Sequence, residues 1–253
     1  MGILLRDEQA SYRANAKGMI FPISDVGLEL LGVFGGDLAA SSRNFAPGKP
    51  AFTPVGNVEV NDNSIVVSGD GGYLQTEMVD PGSVTLIAIV KPLEMLGTLL
   101  LSNYHSASQV HSGDTLGVSL YLNPDPDRND GLLTPNFQRS VTDGSATVGS
   151  GVFLDNDQPL ATYQFHCARY DVSTNVRQLH NLTSGHSAVW SSETRAPDLG
   201  ARLRIGAGYE SGGFPGRSEL VAVIGMSRAI ADTEMATLYK FWKGYCERRG
   251  IAI

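Results

Sequence analysis

Along most of the chain, apolar residues run in short blocks or alternate with polar ones, and glycine- or proline-rich turns separate the blocks. "SIVVSGDGGYLQTE" (64–77) gives an apolar run, a Gly-Asp-Gly-Gly turn and a returning strand. "GSVTLIAIVKP" (Gly82–Pro92) is β-branched and apolar on both faces, as suits a central strand covered on either side. "GTLLLSNY" and "TLGVSLYLNP" continue in the same manner. "YQFHCARYDVSTNVRQLHNLTSG" predicts two strands about a "DVSTN" turn, with Phe165, Cys167 and Arg169 alternating against His166, Ala168 and Tyr170. "PDPDRNDGLLTPN" reads as a turn cluster, and Asp37–Gly56, with three prolines, as a long ordered loop.

The period changes at the end. Met235, Leu238, Trp242 and Tyr245 fall at helical spacing, which predicts one amphipathic helix over about residues 232–249. Asp232 reads as its N-cap, Glu234 complements the dipole, and Arg248, Arg249 and Gly250 close the far end. Such a helix after so many strands is expected to lie against the outside or edge of a sandwich. Residues 1–30 are irregular and read as an N-terminal docking segment ahead of one domain over 31–253.

Before that helix, Gly206, Gly208 and Gly212 follow the strand-like "RLRI". A dinucleotide loop needs G-x-G-x-x-G followed by a helix whose N-terminus holds a phosphate. Here the spacing is G-x-G-x-x-x-G and the next element, "GRSELVAVIGMS", is another strand. These glycines are expected to serve a tight crossing between strands.

Composition narrows the picture. Charged residues are 18% of 253, hydrophobic residues 42%, and there are 29 glycines, the profile of strands joined by turns. The net charge of −7, without a basic run, argues against a nucleic-acid partner. No apolar stretch approaches the roughly 20 residues that span a bilayer, and "MGILLRDEQASYRANAKGM" contains no signal-peptide core. Cys167 and Cys246 make neither a disulfide framework nor a zinc pattern, so both are expected as buried free thiols.

The order of elements resembles the laminin-G-like, concanavalin A-like lectin jelly rolls over about residues 30–245. The carriers are Ile205, Gly206, Phe214, Gly216, Leu220, Val223, Arg228, Ile230, Asp232 and Glu234 in the closing segment. Upstream, "VVSGDGGYLQT", "GSVTLIAIVKP" and the "YDVSTN" hairpin are similar to further strands of that family. The hairpin departs from it in lacking a Trp before its first strand and in carrying "NLTSG" where the family has a tighter turn. The resemblance implies an all-β jelly-roll β-sandwich with one C-terminal α-helix and an irregular N-terminal segment.

Chemistry is faint. Glycoside hydrolases on this sandwich place carboxylates on one strand as E-x-D-x-x-E, to flank a sugar bond; that motif is absent, and most acids fall in turns. "GVSLY" and "GMSRA" fail the G-x-S-x-G nucleophile pattern. His105, His111, His166, His180 and His186 have no zinc spacing. Asp125, Asp127 and Asp130 offer oxygen ligands for calcium within six residues, although Asp-Pro and Asn-Asp-Gly are also ordinary turn formers. Tyr104, Tyr121, Trp190, Tyr209 and Phe214 fall near strand ends, where a ring could stack on a sugar or fill a partner's pocket.

A jelly roll without a signal peptide or disulfides resembles bacteriophage and prophage structural proteins of the tail, baseplate or capsid. The expectation is a non-enzymatic virion recognition or adhesion module, assembled in the host cytoplasm and located in the virion. It would bind a host surface glycan or a neighbouring virion protein, as an oligomer with a trimer foremost. The alternatives are a polysaccharide lyase or hydrolase on the same sandwich, and a coat or spacer protein with no ligand.

Overall fold

A computed structural model describes residues 20–125, 127, 130–155, 157–191 and 195–253 of the chain. Of the described residues, 42% are in strands and 9% in helix. One hydrogen-bonded path of antiparallel strands folds over on itself into two facing sheets. The first sheet contains β1 (Leu28–Val33), β3 (Ile65–Ser68), β5 (Val84–Pro92), β10 (Gln164–Asp171), β11 (Val176–Asn181), β12 (His186–Ser191) and β14 (Arg217–Met226). Its order is β3-β14-β5-β10-β11-β12; β1 pairs with the second half of β14, beyond the stretch that pairs with β3.

The second sheet holds β2 (Thr53–Gly56), β4 (Gly72–Gln75), β6 (Thr98–Ser102), β7 (Val118–Pro124), β8 (Leu132–Arg139), β9 (Gly151–Phe153) and β13 (Arg204–Ile205). Its order is β9-β8-β7-β6-β13-β4, with β2 also on β4. The β3–β4 hairpin, paired at Ser68 and Gly72, carries the chain from one sheet to the other.

Alternation in the strands sorts two cores. Val84, Leu86, Ala88 and Val90 of β5 point between the sheets, where they meet Leu74, Leu101, Leu120, Leu122 and Phe137 of the second sheet. Ile87 and Ile89 point the other way, with Phe165 and Cys167 of β10, beneath the C-terminal helix α2 (Asp232–Glu247). β5 is therefore apolar on both faces because both are covered. Met235, Leu238 and Trp242 lie on the buried stripe of α2, and Trp242 is fully buried. The helix lies on the outer face of the first sheet. Among the described residues, no helix is long and apolar enough to cross a membrane.

Several local expectations need correction. Ala231, not Asp232, flanks the first helical turn; Glu234 accepts the Ala231 N–H at 2.9 Å and pairs with Arg228 at 2.7 Å. Asp232 is instead drawn to the Arg169 guanidinium of β10. The helix stops at Glu247, where Ile251 N–H returns to the Cys246 carbonyl (3.0 Å) and Ile251 and Ile253 enter the outer core. Leu132–Asn136, placed within a turn cluster, belongs to the full strand β8: Pro135 falls between the segments paired with Gln158–Pro159 and with β9, so its missing N–H interrupts no ladder. Within Asp37–Gly56 the chain forms a one-turn helix, α1 (Leu38–Ser41), capped by the Asp37 carboxylate on Ala40 N–H (2.7 Å), and the edge strand β2. Strand β1 straddles the boundary set at residue 30, and most of the expected docking segment, residues 1–19, lies outside the described residues.

Candidate functional site

With α2 on the first sheet, the outer face of the second has no helix over it among the described residues. Alternation puts Tyr73 and Gln75 of β4, Arg204 of β13, Tyr121 and Asn123 of β7, and Thr134 and Asn136 of β8 on that face. Register aligns them: Asn136, Tyr121 and Leu99 lie opposite one another across three strands, and Arg204 lies opposite both Gln75 and Ser102.

The glycine-rich loop 206–216 folds onto one end of this face. Gly206 (φ +92) passes so close to β3 that a Cβ would stand 2.4 Å from Val67, so the expected tight crossing is what these glycines make. Four bonds pin the loop: Gly206 N–H to Leu100 O (3.1 Å), Tyr209 N–H to Tyr104 O (2.7 Å), Gly212 N–H to Asp70 Oδ1 (3.1 Å) and Gly216 N–H to Gly97 O (2.9 Å). At Gly97 a side chain would meet Asn123 Oδ1 and Phe214 Cδ1 at 2.8 and 3.1 Å, so its absence admits the Phe214 ring.

Phe214 stands edge-on to Tyr104 and Tyr121, with centroids 5.4 and 5.5 Å away. His105 packs against Tyr104 at 4.5 Å, and its Nε2 lies 3.7 Å from the Glu210 carboxylate. Tyr209, its hydroxyl donating to Arg202 O at 2.8 Å, covers the Arg204 guanidinium at 3.6 Å; Tyr73 lies 4.7 Å from the same Cζ. Burial pushes the Tyr121 phenol up to about 12, and Tyr104 adds to this. The Tyr104 phenol is raised by burial and then by Glu210. Both hydroxyls are neutral at physiological pH and can donate and accept. The arrangement offers flat rings, the Tyr104 and Tyr121 phenols, the amides of Asn123 and Asn136, and one cation.

Of the five aromatic residues singled out in the sequence, the structure brings Tyr104, Tyr121, Tyr209 and Phe214 together. Trp190 is elsewhere. It lies on β12, half exposed, beside a groove of about 440 Å³ lined by Val141, Val148 and Arg195. Asp125, Asp127 and Asp130 lie where β7 runs into β8. Asp125 Oδ1 accepts Asp127 N–H and Asp130 Oδ1 accepts Leu132 N–H, both at 3.0 Å, the pattern of turn-forming aspartates. Among the described residues, no three His, Cys, Asp or Glu side chains group to hold a metal ion. Sequence reasoning missed Arg204, Tyr73, Gln75, Asn123 and Asn136. For the last four, alternation in "GYLQ", "YLN" and "TPN" was the available signal; the two-residue strand of Arg204 gave none.

No family model matches the chain, and no curated protein matches it in sequence. Solved structures do. The botulinum neurotoxin serotype D ligand binding domain, determined in complex with N-acetylneuraminic acid, superposes with a TM-score of 0.59 at 8% identity over 91% of this chain and 53% of that one. The receptor binding domain of the mosaic serotype C/D gives 0.59 at 10% identity over 86% and 52%. A type C neurotoxin structure, described by its dependence on two ganglioside molecules for cell entry, gives 0.55 at 7% over 85% and 51%. The fold is a jelly-roll β-sandwich. The chain spans about half the length of these structures, and at such identity the likeness is one of fold.

Proposed function

We propose that the protein is a non-enzymatic recognition module that binds a cell-surface glycan on the open face of the second sheet. The observation that carries this reading is the convergence of Tyr104, Tyr121, Tyr209 and Phe214 with Arg204 on a sheet face without a helix over it. A sugar presents C–H groups on one side and hydroxyls at its rim, and rings flanked by phenols and amides complement both. That structural neighbours are receptor binding domains, one of them solved with a sialic acid, supports the same reading. Glycan-array binding followed by saturation-transfer NMR tests it: Tyr121→Ala is expected to weaken binding at least tenfold, and an array without a hit on any glycan overturns the assignment.

In the same proposal the module belongs to a virion, as a phage or prophage tail, baseplate or decoration protein. Residues 1–30 would dock it to a neighbouring virion protein, and a trimer is the working stoichiometry. Absence of the protein from purified particles overturns the virion part alone.

The rival is a polysaccharide lyase or hydrolase. Against it, β4, β6, β7, β8, β9 and β13 carry neither Asp nor Glu, so the sheet strands hold no carboxylate pair to flank a sugar bond. Turnover of a capsule or cell-wall polysaccharide by the purified protein would establish the rival. Calcium at Asp125, Asp127 and Asp130 is the alternative to their turn role, and a calcium-dependent rise in melting temperature would assign it.

A further inference from the structure

Arg204 is the cation of the open face and it has no acidic partner among the described residues. Arg139, Arg169, Arg202, Arg217 and Arg228 each pair with a carboxylate: Asp80, Asp232, Glu77, Glu59 and Glu234. Arg204 donates from Nε to Gln75 Oε1 (2.9 Å) and from Nη1 to the Gly208 carbonyl (2.5 Å), both neutral acceptors. Among the described residues its Nη2 makes no hydrogen bond, and it is not fully buried.

The group is held in place. Tyr209 and Tyr73 lie over its guanidinium, Gln75 is fixed by its own Nε2 to Thr76 O (3.0 Å), and Gly208 belongs to the pinned loop. A guanidinium whose Nε and Nη1 are held on neutral acceptors keeps its charge and its Nη2 donors for an anion. Glu210, the carboxylate of the same loop, lies 3.7 Å from His105 Nε2. Rotamer freedom, the usual cost of engaging a long cationic side chain, has been removed beforehand.

We propose that Arg204 is the anion anchor of the face, and that the saccharide it takes is acidic. The Nη2 end of the guanidinium receives a carboxylate or a sulfate ester while Tyr121 and Phe214 take the sugar ring. This deepens the glycan-binding reading and rests on it.

The test is an array of sialylated, uronate-containing, sulfated and neutral oligosaccharides, followed by calorimetric titration of matched acidic and neutral pairs. Wild type, Arg204→Gln, Arg204→Lys and Tyr121→Ala are compared, each with its melting temperature checked. Acidic glycans are expected to bind at least tenfold more tightly than their neutral counterparts, with affinity falling as NaCl rises. Arg204→Gln should abolish that preference. Arg204→Lys should retain only part of it, because an ammonium is not held between the two rings and the Gln75 and Gly208 acceptors. The sulfated and carboxylated arms decide which anion is read. Neutral glycans bound as well as acidic ones, or an acidic preference that survives Arg204→Gln, overturns the anchor and leaves the glycan reading intact. No binding to any glycan overturns both.

Discussion

Asp80 lies against Arg139 with both side chains fully buried, and its other oxygen accepts the Asn103 Nδ2–H and the Gly200 N–H, each at 2.9 Å. Asp80 comes from the connection between the sheets and Arg139 from the end of β8. Arg139 also donates to the Pro81 carbonyl at 2.7 Å and stands 5.7 Å from the centre of the Tyr170 ring. Removing the carboxylate charge strands a buried guanidinium, which costs about 3–5 kcal/mol. Asp80→Asn should therefore lower the melting temperature by roughly 10 °C in a domain of this size. An unchanged melting curve would refute the network's role.

His166 carries an acid limit. Its Nε2 lies 2.7 Å from Gln158 Oε1, while the Gln158 amide nitrogen donates to Pro159 O and Thr162 O, so the imidazole must be the donor. Burial lowers the His166 pKa to about 4. The unfolded chain, titrating near 6.5, then binds the extra proton between about pH 6.5 and 4. Stability is full above pH 6.5 and falls as pH drops through that window, by ~3 kcal/mol at its foot. His180 is lowered in the same direction by burial and then by Arg169. Urea unfolding at pH 7.5 and 4.5 should show the loss, and His166→Gln should reduce it. Equal pH dependence in the variant would assign the effect elsewhere.

The two thiols are expected to be silent. Burial pushes Cys167 up to about 12 and Cys246 up to about 11, both beneath or within α2. Thiolate is the reactive form, so a disulfide reagent should label neither in the native protein and both after guanidinium unfolding. Rapid native labelling of Cys246 would mean that α2 opens readily.

Strand β12 is a sheet edge whose six residues, "HSAVWS", carry no Lys, Arg, Asp or Glu, and Val189 and Trp190 are 61% and 50% exposed. Natural edges are commonly blunted by charge. If the proposed oligomer forms through this edge, Val189→Lys should convert it to monomer in light scattering without changing the melting temperature. An oligomer unaffected by that change uses another surface.

The fold was largely readable from the chain, and the failures have physical causes. β5 was legible because burial on two faces leaves a distinctive apolar run, the β10–β11 hairpin by alternation about its "DVSTN" turn, and α2 because its stripe repeats at helical spacing. β8 was hidden by Pro135, whose acceptability depends on a gap in a ladder built from residues far along the chain. The aromatic residues of the site could be named by type, but their grouping could not. Tyr104 and Phe214 meet only because loop 206–216 folds over β6. Arg204 sits in a two-residue strand, too short to show alternation, and Trp190 ends a strand on the opposite sheet.

The C-terminal helix gives the molecule a blind side. Copies set on a common support with α2 toward it would all turn the same aromatic surface outward, so weak single contacts with a dense sugar coat would add up, and the strength of attachment would be set by how many copies are displayed and how far apart they stand.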